Sequence, residues 1–263
     1  MMKEFYLVAD WGAHNYLTVP NIMLSAGSIA QTDGKKWNMS RVRLPEGYPD
    51  KLILDSGGYS FFSRWGDYPF SISSYVDLAN ILKDMYPLER VATLDYPCEP
   101  KINRINDLQT NEERIRATVN MAGGCIDEDK TLPWLPVIQG YTIDEYLYCL
   151  DLYADIGITS DYWAIGSICS RKGNLLELRN LIVTIRDQFD NDKLHAFGLG
   201  IPFLKDPQIF QAIYSSDSSA WNWGISGPNT RDRKKEAALK YLALIEDMMC
   251  GAENQTQLGD LIK

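Results

Sequence analysis

The sequence predicts an α/β fold, a distorted (β/α)8 barrel that forms a single domain over residues 1–263. Eight short apolar segments alternate with stretches long enough for helices, as in chains whose parallel strands are joined by crossover helices. Most of these segments are continuously apolar, which is typical of strands covered on both faces. A length of 263 residues, 45% of them hydrophobic, is close to the usual size of such a barrel.

The predicted strands and helices follow one another along most of the chain. The strands are 5–9, 22–26, 52–55, 90–95, 134–139, 162–166, 195–199 and 212–217, and the helices are 73–85, 111–121, 142–156, 175–189 and 230–249. Thr142 and Glu145 form a capping-box pattern at the start of the third helix. Gly123 and Gly124 predict the end of the second helix, because glycine commonly terminates helices.

The first two strand-to-strand connections fit the barrel pattern poorly. Residues 11–21 are few for a helix, and residues 27–50 are rich in glycine, proline and polar side chains. We therefore expect loops or a small hairpin there, and hence a distorted barrel.

Composition limits the location and the cofactors that we expect. No apolar run approaches the ~20 residues needed to cross a membrane, and the N-terminal residues lack the apolar stretch of a secretory signal. We expect a cytoplasmic protein with no membrane partner. The five cysteines show no metal-type spacing, and there are only two histidines, His14 and His195. We therefore expect buried thiols, histidines satisfied within the fold, no metal site and no cofactor.

The charge balance bears on nucleic-acid binding. A net charge of −9 opposes nonspecific adhesion to nucleic acid but leaves room for a local basic groove. The candidate clusters are Arg231, Arg233, Lys234 and Lys235, and Lys35 and Lys36 with Arg41 and Arg43. A solvated helix face is the alternative interpretation of either cluster.

Polar residues and glycines follow most of the predicted strands. In a parallel barrel the carboxyl ends of the strands surround the active site. The residues at these ends are Asp55, Asp95, Gln139, Gly140, Gly166, Ser167, Gly198, Gly200 and Asp217. Three carboxylates, one amide and several glycine corners should therefore meet at one mouth.

Two kinds of chemistry suit such a set of residues. Substitution at the anomeric carbon of a sugar needs a carboxylate nucleophile and a second carboxyl group that moves a proton. A third carboxylate and an amide could then recognise a purine-like base. A carboxylate cluster could instead bind Mg²⁺, and the residue types alone leave both readings open.

Six short motifs add a family resemblance. They are D-S-G-G-Y at 55–59, L-D-Y-P at 94–97, V-I-Q-G at 137–140, A-I-G-S at 164–167, F-G-L-G-I-P at 197–202 and S-D-S at 216–218. In this order they resemble the tRNA-guanine transglycosylases, and most of all their short DNA-modifying relatives, the 7-deazaguanine DNA-transglycosylases. The resemblance covers roughly two thirds of the chain, from about residue 52 to residue 217.

The resemblance implies a mechanism without a cofactor. Asp217 would attack the sugar and form a covalent aspartyl-glycosyl intermediate, and Asp55 would be the general acid and base. Guanine in DNA would be replaced by a 7-deazaguanine such as 7-cyano-7-deazaguanine. The implied base-binding residues are Ser56, Tyr59, Asp95, Gln139, Gly140, Gly166, Ser167, Phe197 and Gly198. Tyr59 and Phe197 would clamp the ring, and the backbone amide of the A-I-G-S segment would meet the purine carbonyl.

Residues outside the pocket would hold the nucleic-acid strand. Arg231, Arg233, Lys234 and Lys235 follow the eighth predicted strand, and Arg171 and Lys172 follow the sixth. Basic side chains at these places could neutralise phosphates beside the sugar.

The chain also departs from the family pattern. Ser60 stands where the family has glutamine, and Ser167 stands where it has a second glycine. The C-x-C-x-x-C…H zinc motif and an appended RNA-binding domain are absent from the sequence, which favours DNA over tRNA. The alternatives are a tRNA-guanine transglycosylase of queuine or archaeosine type, a metal-dependent barrel hydrolase, and a base-binding protein without turnover. The sequence does not determine the oligomeric state.

Overall fold

The computed structural model describes residues 1–9, 17–102, 108–171 and 173–261, the last nine of them by backbone alone. Within these ranges, nine parallel strands form one sheet in the order β5-β4-β3-β2-β1-β9-β8-β7-β6, which curls into a nearly closed barrel with helices between the strands. The strands are β1 Glu4–Ala9, β2 Asn21–Ser25, β3 Lys51–Asp55, β4 Leu88–Ala92, β5 Trp134–Leu135, β6 Val137–Ile138, β7 Tyr162–Ile165, β8 Lys193–Ala196 and β9 Ser215–Ser218. The predicted distorted α/β barrel is confirmed.

The strand predicted at 134–139 is interrupted by Pro136, which has no N–H group for a ladder hydrogen bond. The part before the proline, β5, pairs with β4, and the part after it, β6, pairs with β7. The Pro136 carbonyl itself accepts a hydrogen bond from the Ala164 N–H at 2.9 Å. The interrupted strand therefore brings the two sides of the barrel together.

The described helices lie outside the strands or cover their ends. They are α1 Ala26–Ile29, α2 Gly58–Trp65, α3 Ile72–Met85, α4 Asn111–Glu128, α5 Ile143–Asp155, α6 Leu175–Arg186, α7 Ile201–Leu204, α8 Pro207–Ala212 and α9 Thr230–Leu261. The irregular connection 27–50 contains part of α1, an isolated antiparallel bridge between Ala30 and Trp37, and one 3₁₀ turn, Met39–Val42. Most of the other irregular connection, 11–21, lies outside the described residues.

Several predicted boundaries are wrong, and the final helix, predicted to end at residue 249, continues to Leu261. The helix predicted to stop at Gly123 continues to Glu128 as α4, because Gly124 serves packing: a Cβ there would lie 2.7 Å from the Ile72 Cδ1 atom of α3. The last strand begins at Ser215 instead of residue 212, since residues 207–212 form helix α8 after the N-cap Asp206.

The barrel interior is apolar and ends in a polar layer. Tyr6, Met23 and Ile53 form one buried cluster inside, and Ala92, Leu135, Val137, Tyr162 and Ala164 form a second. Phe197 packs against both clusters. Because side chains alternate along a strand, Asp55 follows Ile53 and Gln139 follows Val137 on the inward face. The polar residues thus lie above the interior core, at the carboxyl ends of the strands.

Candidate active site

Asp55 ends β3 with its carboxyl group in a crowded polar setting. The Gly57 N–H donates a hydrogen bond to Oδ2 at 3.2 Å. Burial raises the pKa of Asp55 to about 6, a hydrogen bond from Ser25 opposes this rise, and the negative charge of Asp217 adds to it. The two carboxyl groups are therefore close enough to interact. A carboxyl with this pKa can give and take a proton near neutral pH.

The backbone after Asp55 turns sharply into helix α2, which the sequence interpretation did not include. Gly57 precedes the helix with φ +75°, and a Cβ at this position would lie 2.4 Å from the Gly27 nitrogen. Only glycine combines this conformation with so close a backbone approach. The turn leads directly into α2 and places Tyr59 in its first turn.

Asp217 lies on β9 and is almost completely buried. Its Oδ1 atom accepts hydrogen bonds from the Gly198 N–H at 2.9 Å and from His195 Nε2 at 3.1 Å. Among the described residues no hydrogen-bond donor contacts its Oδ2 atom. One carboxylate oxygen is therefore held by the protein, and the other is left for chemistry.

His195 is a functional candidate that sequence reasoning did not identify. It is fully buried and hydrogen-bonded through both ring nitrogens, with Nδ1 lying 2.5 Å from Ser215 Oγ. Tyr162 Oη lies 2.5 Å from the same Ser215 oxygen. If Tyr162 donates to Ser215 and Ser215 to Nδ1, the neutral imidazole carries its proton on Nε2 and donates it to Asp217. Its position in the sequence could have indicated this role, because His195 lies two residues before Phe197 and therefore on the same inward face near the end of the strand.

Asp95 is held from both sides at the end of the β4 segment. Ser56 donates to Oδ1 at 2.6 Å, and Gln139 Nε2 donates to Oδ2. The Tyr68 hydroxyl donates to the Asp95 backbone carbonyl at 2.8 Å. Burial raises the pKa of Asp95 to about 7, although the Ser56 hydrogen bond favours the ionised form. Asp55 also raises it by charge repulsion, so Asp95 belongs to the same polar cluster.

Gln139 packs directly over Gly166. A Cβ at Gly166 would lie 2.3 Å from Gln139 Nε2, so any side chain there would displace the Gln139 amide from its present position. The Gly166 N–H donates to the Ile138 carbonyl at 3.0 Å, and its own carbonyl accepts from Tyr146. The Ser167 N–H has no hydrogen-bond partner among the described residues, so it is available to a ligand.

Ser167 and Glu99 extend this cluster. Ser167 has φ +53°, and its Oγ lies 2.6 Å from Gln139 Oε1 and 2.8 Å from Glu99 Oε2. Glu99 is 2% exposed, and the sequence motifs did not point to it. Gly140 is buried, and a Cβ there would lie 2.8 Å from the Tyr146 nitrogen.

The two aromatic candidates differ in exposure. Tyr59 is 51% exposed. Phe197 is partly buried, and its ring meets the His195 ring edge-on with a centroid distance of 4.8 Å. Phe197 thus forms the top of the interior core, while Tyr59 extends from the rim.

The basic residues predicted to contact the nucleic-acid backbone differ in burial and in their contacts. The Arg171 guanidinium is buried, donates to Glu177 at 2.9 Å and to the Tyr141 carbonyl, and stacks on the Tyr141 ring. This geometry favours a structural role for Arg171 over a phosphate contact. Lys172 lies outside the described residues. Arg231, Arg233, Lys234 and Lys235 are in the first turns of α9, and all but the partly buried Lys234 are exposed.

The described part of the chain contains no group of three or more His, Cys, Asp or Glu side chains arranged to hold a metal ion. The alternative of a metal-dependent hydrolase therefore has no candidate ligand set there. Nor is any helix of the described residues both long and apolar enough to cross a membrane.

Comparison with known proteins identifies the family. The family model DpdA, described as DeoxyPurine in DNA protein A, matches residues 11–233. The chain belongs to this family. The DpdA proteins are 7-deazaguanine DNA-transglycosylases related to the tRNA-guanine transglycosylases, so the resemblance seen in the motifs is confirmed. As a DpdA member, the chain is a transglycosylase that modifies DNA with a deazaguanine base. A search of individual curated proteins finds no match.

Proposed function

We propose that this chain replaces guanine in DNA by a 7-deazaguanine, such as 7-cyano-7-deazaguanine, with Asp217 as nucleophile and Asp55 as general acid and base. The observation that carries the proposal is the asymmetry of Asp217. One oxygen accepts two hydrogen bonds, the other has no hydrogen-bond partner among the described residues, and the charge of Asp217 raises the pKa of the nearby Asp55. A fixed carboxylate beside a proton donor is what displacement at a sugar carbon requires.

The first half of the reaction removes guanine. The target nucleotide leaves the base stack, since its C1′ atom is out of reach inside a duplex. Asp217 Oδ2 forms a bond to C1′ while the C1′–N9 bond breaks and its electron pair goes to the base. Protonated Asp55 gives its proton to the departing guanine, which leaves as the neutral base. Burial keeps Asp55 protonated in part of the molecules near neutral pH.

The second half reverses these steps with the incoming base. The 7-deazaguanine gives its N9 proton to ionised Asp55, and N9 attacks C1′. The C1′–Oδ2 bond breaks, and Asp217 returns to its carboxylate form. Two inversions at C1′ preserve the β configuration of the nucleoside.

The base would be recognised by the polar cluster around Asp95. Guanine and 7-deazaguanine share an N1–H and an exocyclic amino group, and ionised Asp95 can accept hydrogen bonds from both. The Ser167 N–H and the second hydrogen of the Gln139 amino group would donate to the base carbonyl. Tyr59 and Phe197 would stack on the ring, and each such contact is typically worth about 1–3 kcal/mol.

The DNA strand would lie along the first turns of α9. Basic residues at a helix N-terminus oppose the helix dipole, so helix stability does not account for Arg231, Arg233, Lys234 and Lys235. The chain between β9 and α9 contacts the carboxyl end of β1, where Trp221 Nε1 donates to the Val8 carbonyl at 3.1 Å. The basic first turns of α9 therefore come after the strand that carries Asp217, separated from it by residues 219–229.

The test is base exchange measured on matched substrates. The wild-type chain is incubated with labelled guanine and either duplex DNA, single-stranded DNA or tRNA, and label in nucleosides is measured by mass spectrometry. We expect incorporation into DNA by the wild type and none by Asp217→Ala. Exchange into tRNA alone would support the tRNA alternative. Base binding without any exchange would support a non-catalytic protein, and activity of Asp217→Ala would refute the assigned nucleophile.

A further inference from the structure

Glu99 is a buried carboxyl group that the proposed exchange mechanism does not use. Its Oε2 atom lies 2.8 Å from Ser167 Oγ, and its Oε1 atom lies 3.7 Å from the Cys169 thiol. Ser167 connects it to Gln139, and Gln139 connects it to Asp95. Two buried carboxyl groups are thus joined by one hydroxyl and one amide.

The hydrogens along this connection can be counted. The Ser167 oxygen accepts from the Cys98 N–H at 2.8 Å and also contacts Gln139 Oε1 and Glu99 Oε2. A serine hydroxyl has a single hydrogen to donate. It can satisfy only one of these two oxygens, so the other contact needs a hydrogen from the partner group.

Two arrangements satisfy every contact. In the first, Glu99 is protonated and donates to Ser167, Ser167 donates to Gln139 Oε1, and the Gln139 amino group donates to ionised Asp95. In the second, Ser167 donates to ionised Glu99, and the Gln139 amide is turned over. Its oxygen then faces Asp95, which must carry the proton. Each arrangement holds one proton on the two carboxyl groups.

We propose that Glu99 and Asp95 share one proton through Ser167 and Gln139, and that a guanine-type base is bound only when this proton is on Glu99. The inference rests on the proposed function, in which Asp95 accepts hydrogen bonds from the base. Glu99 is then a specificity-determining residue that sets the polarity of the base-reading edge without touching the base.

The conformation of Ser167 supports a role for its hydroxyl. Ser167 has φ +53°, a left-handed backbone conformation that residues with a side chain seldom adopt because Cβ crowds the following carbonyl oxygen. The family motif has glycine at this place, where the strain would not arise. Ser167 is retained here together with three hydrogen-bonding partners for its oxygen, as expected if the hydroxyl transmits the state of Glu99.

The surroundings allow one proton to be shared. Burial raises the pKa of both Glu99 and Asp95, so the fully ionised pair is disfavoured. Arg171 faces Glu99 with a positive charge, and Asp55 faces Asp95 with a negative one. The other described titratable groups around them are neutral because burial raises the pKa of each. They are Tyr68, Tyr75, Tyr146, Tyr153, Cys98, Cys125, Cys149 and Cys169.

The test is the pH dependence of base affinity. Binding of 7-cyano-7-deazaguanine to the whole chain is measured by calorimetry from about pH 6 to about pH 9. At alkaline pH both Glu99 and Asp95 are ionised in the free wild-type protein, so binding of the base must take up one proton. The affinity should therefore fall by up to tenfold for each further pH unit. In Glu99→Gln the new amide donates to Ser167 at every pH, and this fall should disappear.

Two further variants complete the design. Ser167→Gly relieves the strain and should fold, but it disconnects Glu99 from Gln139. Its affinity should drop about tenfold, the effect of about one lost hydrogen bond. Cys169→Ala removes the other neighbour of Glu99 and should keep the wild-type profile. If the wild type and Glu99→Gln show the same dependence of base affinity on pH, whether it slopes or is flat, the shared proton is refuted. The proposed exchange function would not be affected by that result. Absence of binding by the wild type at every pH would overturn both.

Discussion

The burial of Asp95 predicts that the ligand-free chain becomes less stable as the pH rises. Burial raises the pKa of Asp95 from 3.8 to about 7 in the folded state, whereas the unfolded chain titrates near 3.8. Between these values the unfolded state has released a proton that the folded state still binds, so the free energy of unfolding falls with increasing pH. The difference of about three pKa units corresponds to about 4 kcal/mol. The contribution of Asp95 to the free energy of unfolding should therefore be greatest below about pH 4.

Urea unfolding of the wild type and Asp95→Asn at about pH 4.5 and about pH 8 measures this effect. The variant cannot ionise at position 95, so it should lose the part of the decline that Asp95 contributes. The rest should remain, because burial also raises the pKa of Asp55, to about 6, and the pKa of Glu99. Asp151→Asn, at an exposed position on α5, is the matched control and should keep the wild-type slope. Equal slopes in Asp95→Asn and wild type would refute this account of the Asp95 environment.

Three other predictions concern the nucleophile, a helix contact and the DNA strand. His195→Phe should lower the rate of base exchange about 10- to 100-fold, because Asp217 loses a hydrogen bond to its charged carboxylate. His195→Gln should recover part of the lost rate, and a wild-type rate in His195→Phe would contradict this role. Gly124→Ala should have a free energy of unfolding about 1 kcal/mol lower than that of Gly123→Ala, because its Cβ would lie 2.7 Å from the Ile72 Cδ1 atom of α3, which must shift to make room. Gly123→Ala, with its nearest contact at 3.7 Å, should instead be neutral or stabilising in the same denaturation assay. Arg233→Gln and Lys235→Gln should each weaken DNA binding and reduce its salt dependence by about one unit of slope, measured by fluorescence anisotropy at several salt concentrations; an unchanged slope would place the DNA elsewhere.

The parts of the fold that could be predicted depend on local composition. Continuous apolar runs identify strands such as β3 and β7, since both faces of a barrel strand are covered. The end of such a run then locates a polar residue at the mouth, as for Asp55. The capping box of Thr142 and Glu145 likewise identifies the start of α5.

The parts that could not be predicted depend on distant partners. Gly124 resembles a helix stop until the side chain of Ile72 is seen beside it. Pro136 divides a strand whose two halves pair with different neighbours. His195 and Glu99 are ordinary residues in the sequence, and their relevance comes from Asp217, 22 positions away, and Ser167, 68 positions away. No short motif encodes such pairs.

The most direct test of the central claim is to trap the covalent intermediate. The wild-type chain is mixed with a DNA duplex in the absence of an incoming base and denatured, and the adduct is located by peptide mass spectrometry. We expect DNA attached to the peptide that contains Asp217 in the wild type, and no adduct in Asp217→Ala. Attachment at another residue, or an adduct that persists in Asp217→Ala, would contradict it.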